Sequence, residues 1–181
     1  IHPLHVCEAI QPFLDDGAIL VSDGGEFSQW IQAGVEAKTR LINGPSGSIG
    51  GALPMGIGAK CAHPDRPVLV CLGDGTFGFH AMELDTALRD ELPIVVLVGN
   101  DARWNAEHQK QIANYGEDRA VGCHLRPTRY ELLAESLGGC GELVQHADNL
   151  VPAITKALNS NLPACINISI DGPPAPTFRP S

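Results

Sequence analysis

Asp74 lies between two glycines in Gly73-Asp74-Gly75-Thr76, directly after the apolar run VLVCL, and Asp101 closes a second apolar run in Gly99-Asn100-Asp101, 27 positions later. Side-chain oxygens at the ends of two adjacent strands can converge on one cation. Mg²⁺ suits such a pair, because it takes a few carboxylate or carbonyl oxygens and lets phosphate and water complete an octahedron. A glycine turn that delivers the chain into a helix also exposes backbone N–H groups at the positive end of the helix dipole, where a phosphate can bind. A Gly-Asp-Gly turn alone is common and says little. The second acidic strand end, 27 positions on, makes metal-assisted binding of a phosphorylated ligand the chemistry to expect.

These residues need a scaffold that brings strand ends together. Hydrophobic periodicity predicts a helix over 5–14, a strand over 18–23, a glycine-rich turn and helix, a strand over 67–74, a helix over 81–90 and a strand over 93–101. A polar stretch follows from Trp104 to Tyr115, then a helix over 127–138, a short strand over 142–145, a helix over 149–160 and a last strand over 163–170. The two central strands are continuously apolar, as strands covered on both faces of a parallel sheet are. The expectation is an α/β fold of three layers, with a mainly parallel sheet of about six strands and helices on both faces. The domain spans residues 1–170, and the proline-rich tail DGPPAPTFRPS, 171–181, should lack regular structure. Gly24-Gly25, Gly73-Asp74-Gly75 and Gly99-Asn100-Asp101 all follow strands. They therefore gather at the C-terminal edge of the sheet, where open α/β sheets bind ligands.

Composition removes several function classes. A net charge of −9 without a Lys/Arg cluster disfavours nucleic acid. No apolar run reaches the roughly 20 residues that span a bilayer. The six cysteines are scattered without a CxxC pair and read as reduced, small core residues of a cytoplasmic protein. DGGEFSQW does not fit the GxGxxG of a dinucleotide-binding turn, and the GxxxxGK[ST] of a P-loop is absent.

The segment GDGTFGFHAMELDTALRDELPIVVLVGND, 73–101, resembles the signature of thiamine diphosphate (ThDP) enzymes, and within them the acetolactate synthase-like branch. The resemblance covers nearly the whole chain. It implies Mg²⁺ held by the side chains of Asp74 and Asp101 and the main-chain carbonyl of Arg103, with Gly73, Gly75, Thr76 and Asn105 approaching the diphosphate. DGGEFSQW resembles the family's first cofactor loop and makes Gly25 and Glu26 candidate contacts. NGPSGSIGGALPMGIGA, 43–59, resembles its central loop: Ser48 becomes a cofactor contact, and Ile49 the apolar wedge that bends the cofactor until its own 4′-imino group adjoins the reactive ring carbon. Asp101 departs from the family pattern, which has a second Asn there. The extra carboxylate beside a diphosphate should make the site more strictly dependent on its metal.

The activity so implied is decarboxylation or carboligation of 2-keto acids. The alternatives are C–C cleavage of 2-hydroxyacyl-CoA substrates, or the β subunit of a split sulfopyruvate decarboxylase-like enzyme. In the family the cofactor's aminopyrimidine meets a glutamate from a pyrimidine-binding domain of a neighbouring subunit, and no segment here resembles that domain. The resemblance therefore implies a C-terminal domain, excised from a longer chain and inactive alone, that works in a homodimer or homotetramer. Whether the parent enzyme also carries FAD stays open. Near the expected site, His80 and His108 are candidates to touch substrate or diphosphate, Trp104 to wall the cleft, and Glu83 to fix nearby backbone. Arg126 and Arg129 read as surface residues.

Overall fold

The structure is a computed structural model and describes residues 1–176; the rest of the proline-rich tail lies outside the described residues. Among them the elements run α1 (Pro3–Asp15), β1 (Ile19–Asp23), α2 (Gly25–Gly34), β2 (Arg40–Ile42), α3 (Ala52–Ala62), β3 (Val68–Gly73), α4 (Asp74–His80), α5 (Glu83–Arg89), β4 (Val95–Asn100), α6 (Asn105–Tyr115), α7 (Tyr130–Leu137), β5 (Cys140–Val144), α8 (Leu150–Asn159) and β6 (Ala164–Ser169).

The six strands form one sheet in the order β2-β1-β3-β4-β6-β5, and every pairing is parallel. Because successive side chains of a strand point to opposite faces, each apolar strand feeds two cores. Leu20, Leu69, Cys71, Leu97 and Ile166 pack with α1, α2 and α8. Val21, Val70, Leu72, Val96 and Cys165 pack with α3, α4, α5 and α7. That is the three-layer α/β arrangement, and it accounts for the absence of polar alternation in β3 and β4. From β1 the chain turns outward to β2, and then crosses back to β3 on the other side. Such a reversal leaves a crevice beyond the strand ends, flanked here by the starts of α2 and α4.

Four segments differ from the sequence expectation. A helix begins at Asp74 itself and breaks before α5, where one helix over 81–90 was expected. Two glycines in DGTFGFH argue against a helix on propensity, but Phe77, 1% exposed, anchors it in the core. The polar stretch after Trp104 is the helix α6, of which only Asn105 and His108 are buried, so it shows no apolar stripe. Residues 52–62 form α3, in which Gly56 is pressed so closely on the sheet that a Cβ would stand 2.4 Å from Val70 Cγ2. The sixth strand, β2, is a three-residue exposed edge, too short to leave a periodic signal.

Candidate functional site

The C-terminal ends of β1, β3 and β4 are held level by their register, with Asp23 opposite Leu72 and Gly73 opposite Gly99. A cleft of about 120 Å³ opens beyond them. Gly25 and Glu26 enter it from the first turn of α2, Ile49 from the loop before α3, and Gly73, Asp74, Gly75 and Thr76 from the β3–α4 junction. Asp101, Arg103 and Asn105 enter from the β4–α6 connection. Every metal and cofactor residue that the family resemblance implied thus lines this one cleft except Ser48. Ser48 is exposed; its hydroxyl lies 3.3 Å from that of Ser46 and its carbonyl accepts a long bond from Asn43.

Close approach at the floor requires glycine. A Cβ on Gly24, whose φ is +78°, would stand 2.0 Å from Thr76 Oγ1, and one on Gly75 would stand 2.6 Å from the Trp104 ring. Trp104 therefore does wall the cleft, braced edge-on by Phe79 with ring centroids 5.9 Å apart.

Asp74 and Asp101 form the charged centre. Asp74 is 2% exposed and its Oδ2 has no hydrogen-bond partner. Burial, and then the neighbouring Asp101 charge, push its carboxyl up to about 7 against the opposing backbone amides of Gly75, Asp74 and Arg103. Burial likewise raises Asp101 to about 6, while the Arg103 guanidinium pulls it down and Glu26 adds a smaller upward push. A buried and a half-buried carboxylate that resist ionisation side by side are an incomplete electrostatic arrangement. A divalent cation would complete it: both oxygens are hard donors, the orphaned Oδ2 would gain a partner, and the charge repulsion would be neutralised. Among the described residues no three His, Cys, Asp or Glu side chains converge. Main-chain, phosphate or water oxygens would have to supply the other ligands. The Arg103 carbonyl is suitable, since it accepts no backbone hydrogen bond among the described residues. The residues therefore fit Mg²⁺ and a diphosphate.

The loop that carries Asp101 is held from its far side. Asn100 Oδ1 accepts the Ala102 N–H at 3.2 Å, and its Nδ2 donates to the Thr128 carbonyl and to Asn167 Oδ1, both at 3.0 Å. Asn167 in turn donates to Glu131, which is buried and paired with Arg129. Arg129 is thus a partner of the network as well as a surface residue. Ala102 sits at φ +55°, a conformation uncommon for non-glycine residues and sustained by its surroundings. Asn100→Ala removes three hydrogen bonds and leaves Oδ1 of the buried Asn167 without its donor. It should lower unfolding free energy by about 1–3 kcal/mol in urea titration, and a loss below 0.5 kcal/mol would show that the network does not hold the loop.

Residues 171–176 form no helix or strand, yet they are fastened across the α2 and α6 ends of the site. The Gly172 carbonyl accepts from Asn105 and Gln109, that of Pro173 from the Trp30 indole, and the Ala175 N–H donates to Glu26. Other expectations are corrected. His80 does not face the cleft; its Nδ1 lies 2.7 Å from the Gly50 carbonyl. His108 is buried against His124, with ring centroids 5.3 Å apart and its Nδ1 unpartnered. Glu83 opens α5 and makes no side-chain hydrogen bond among the described residues, so it does not fix nearby backbone. Phe27, Ala106 and Glu107 also line the cleft and were not anticipated. The last two would have followed from placing a helix start after Trp104.

Residues 23–168 match the family model described as "Thiamine pyrophosphate enzyme, C-terminal TPP binding domain". The chain is 36% identical over 175 residues to a probable acetolactate synthase of Mycobacterium bovis, covering 94% of this chain and 32% of that protein. It is 34% identical to 2-hydroxyacyl-CoA lyase 2 of Caenorhabditis elegans, covering 91% and 26%. It is 30% identical to a sulfoacetaldehyde acetyltransferase of Alcaligenes xylosoxydans xylosoxydans, covering 90% and 27%. The chain therefore spans about a third or less of the length of these relatives. With the GDG turn, the paired strand-end carboxylates and the matched span in agreement, this chain belongs to the thiamine pyrophosphate enzyme family and is a C-terminal thiamine diphosphate-binding domain of the acetolactate synthase-like kind.

Proposed function

We propose that this domain holds the diphosphate of ThDP through one Mg²⁺ bound by Asp74, Asp101 and the Arg103 carbonyl, as part of an enzyme that decarboxylates or joins 2-keto acids. The observation that carries the metal is the pairing of buried Asp74 with half-buried Asp101, raised to about 7 and 6 in a cleft where Asp74 Oδ2 has no partner. The relatives named acetolactate synthase support the reaction class.

When bound, ThDP supplies the nucleophilic ring carbon and electron sink for breaking a bond next to a carbonyl. The chain's own residues supply position and charge. Gly24 and Gly75 keep the floor low enough for backbone to approach the diphosphate, and Thr76 and Asn105 offer polar atoms beside it. Trp104 covers one wall against water, which strengthens the electrostatics inside. Ile49, 36% exposed, presents an apolar surface against which the cofactor rings would rest.

The cleft of about 120 Å³ is small beside the roughly 300–1,000 Å³ of sites that enclose a whole ligand. It suits the diphosphate end alone. That favours a second wall from a pyrimidine-binding domain of a neighbouring subunit in a dimer or tetramer.

The test combines the chain with a pyrimidine-binding domain from an acetolactate synthase, ThDP and Mg²⁺, and offers pyruvate and a 2-hydroxyacyl-CoA separately. Release of CO₂ from pyruvate, lost in Asp74→Ala, is the expected result. Cleavage of the acyl-CoA alone would replace the substrate class with that of the lyase relatives, and turnover of neither would remove the proposal.

A further inference from the structure

Ile49 reaches the cleft on a loop, residues 43–51, whose internal bonds are weak and wet. Within it the Gly47 N–H meets the Gly44 carbonyl at 3.0 Å, and the Asn43 and Ser46 side chains make exposed contacts of 3.5 and 3.3 Å with Ser48. Its firm attachments come from outside and converge on the residue after Ile49. Asp23 Oδ2 accepts the Gly50 N–H at 2.7 Å and the Ala52 N–H at 3.1 Å, both buried. From the opposite side, His80 Nδ1 lies 2.7 Å from the Gly50 carbonyl. A carbonyl only accepts, so His80 holds a proton on Nδ1 and donates it. Gly50 has φ +102°, and a Cβ there would stand 2.9 Å from both His80 Nδ1 and Phe79 Cβ. The backbone is thus gripped on both sides where only glycine fits.

Neither gripping residue lines the cleft. Asp23 is 0% exposed, and its Oδ1 has no partner. A carboxylate in that setting is costly to bury unless it makes bonds that a neutral side chain could not. Placement adds a connection. Asp23 is the last residue of β1, immediately before Gly24 and Gly25, while α4 begins with Asp74 and ends with His80. The two elements that hold Gly50 are those that carry the diphosphate loop and a metal ligand.

We propose that Asp23 and His80 are positioning residues, two jaws of a clamp on Gly50 that fixes where Ile49 projects into the cofactor cleft and ties that height to the diphosphate site through α4. The proposal rests on the reading of Ile49 as the surface against which the cofactor bends. Neither side chain touches the cofactor; each acts through the Gly50 peptide.

Amide hydrogen exchange on the 181-residue chain without cofactor, paired with ThDP titration in Mg²⁺, tests it in Asp23→Ala, Asp23→Asn, His80→Ala and His80→Asn. Removing charge-assisted bonds from Asp23 should speed exchange across 43–52 by about 10- to 100-fold while β3 and β4 amides keep wild-type protection. His80→Ala should give a smaller acceleration in the same segment. His80→Asn, whose amide reaches the Nδ1 position, should restore wild-type exchange and ThDP affinity, which a general packing role for the ring would not allow. ThDP affinity should fall roughly tenfold in Asp23→Ala. If Asp23→Ala fails to fold, the Asp23→Asn and His80 variants decide the matter.

Unchanged exchange over 43–52 in folded His80→Ala and Asp23→Asn would overturn the clamp. Accelerated exchange with unchanged ThDP affinity would overturn its link to the cofactor. Failure of the wild-type chain to bind ThDP would instead count against the cofactor reading, and the exchange data would still judge the clamp.

Discussion

Asp74→Asn is expected to make the cofactor-free chain more stable at pH 8 by on the order of 2 kcal/mol, while weakening Mg²⁺-dependent ThDP binding at least about 100-fold. Two opposite effects from one oxygen-to-nitrogen change follow from the position of the carboxyl. In the folded chain Asp74 is pushed from an ordinary 3.8 up to about 7, first by burial and then by Asp101. Because the folded value lies above the unfolded one, the group's favourable contribution is complete below about pH 4 and is lost as pH rises through 7. Wild-type apo protein should therefore lose stability across that window, and Asp101, raised to about 6, adds to the loss. Asparagine is neutral throughout and escapes the Asp74 part. The variant and the wild type should converge near pH 4 in urea titrations. In the proposed site the metal takes the ionised pair, so Mg²⁺ affinity should decline below about pH 7 and binding should release protons near that pH. A variant no more stable than wild type at pH 8 would show that the Asp74–Asp101 pair is not electrostatically strained.

Gly99→Ala is expected to cost about 3 kcal/mol and to lower the Tm by roughly 10 °C, although it adds a single methyl. Gly99 lies in β4, and a Cβ on it would stand 2.4 Å from Phe27 Cγ and 2.6 Å from both Cδ atoms. Phe27 is 4% exposed and sits in the first turn of α2 beside Gly25 and Glu26. The ring has no void to enter in a close-packed interior, so α2 must lift from the sheet. Lifting it raises Gly25 and Glu26 out of register with Asp74, and ThDP affinity should fall along with stability. Gly58→Ala is the internal control. That glycine is exposed on α3 with nothing within 4 Å of an added Cβ, and alanine there should stabilise by about 0.5–1 kcal/mol. Equal effects at the two positions, read by differential scanning calorimetry, would refute the packing argument.

The sheet and most of the site were legible because their signals are local. Continuous apolar runs such as VLVCL and IVVLVG can be buried only on both faces, and Asp74 and Asp101 close such runs, so their meeting follows from strand ends alone. The segments that were misread carry signals that only tertiary context supplies. Gly75 and Gly78 lower helix propensity in α4, but the close approach of Trp104 and the burial of Phe77 outweigh it. The start of α6 buries Asn105 and His108 rather than an apolar stripe, which made it read as a polar stretch. Ser48 adjoins Ile49 in the chain, yet it is exposed beside Ser46 and Asn43 and lies outside the cleft. Asp23 simply closed the strand expected over 18–23. Its bonds reach Gly50 and Ala52, which close no strand, so no strand-end pairing announces them.

The most direct test of the account is calorimetric titration of the 181-residue chain with ThDP, once in Mg²⁺ and once in EDTA. The account predicts saturable binding in Mg²⁺ that is abolished by EDTA and weakened as pH falls below 7, with protons released on binding. Binding of equal strength in EDTA, or none in Mg²⁺ even after a pyrimidine-binding domain is added to the folded chain, would contradict it.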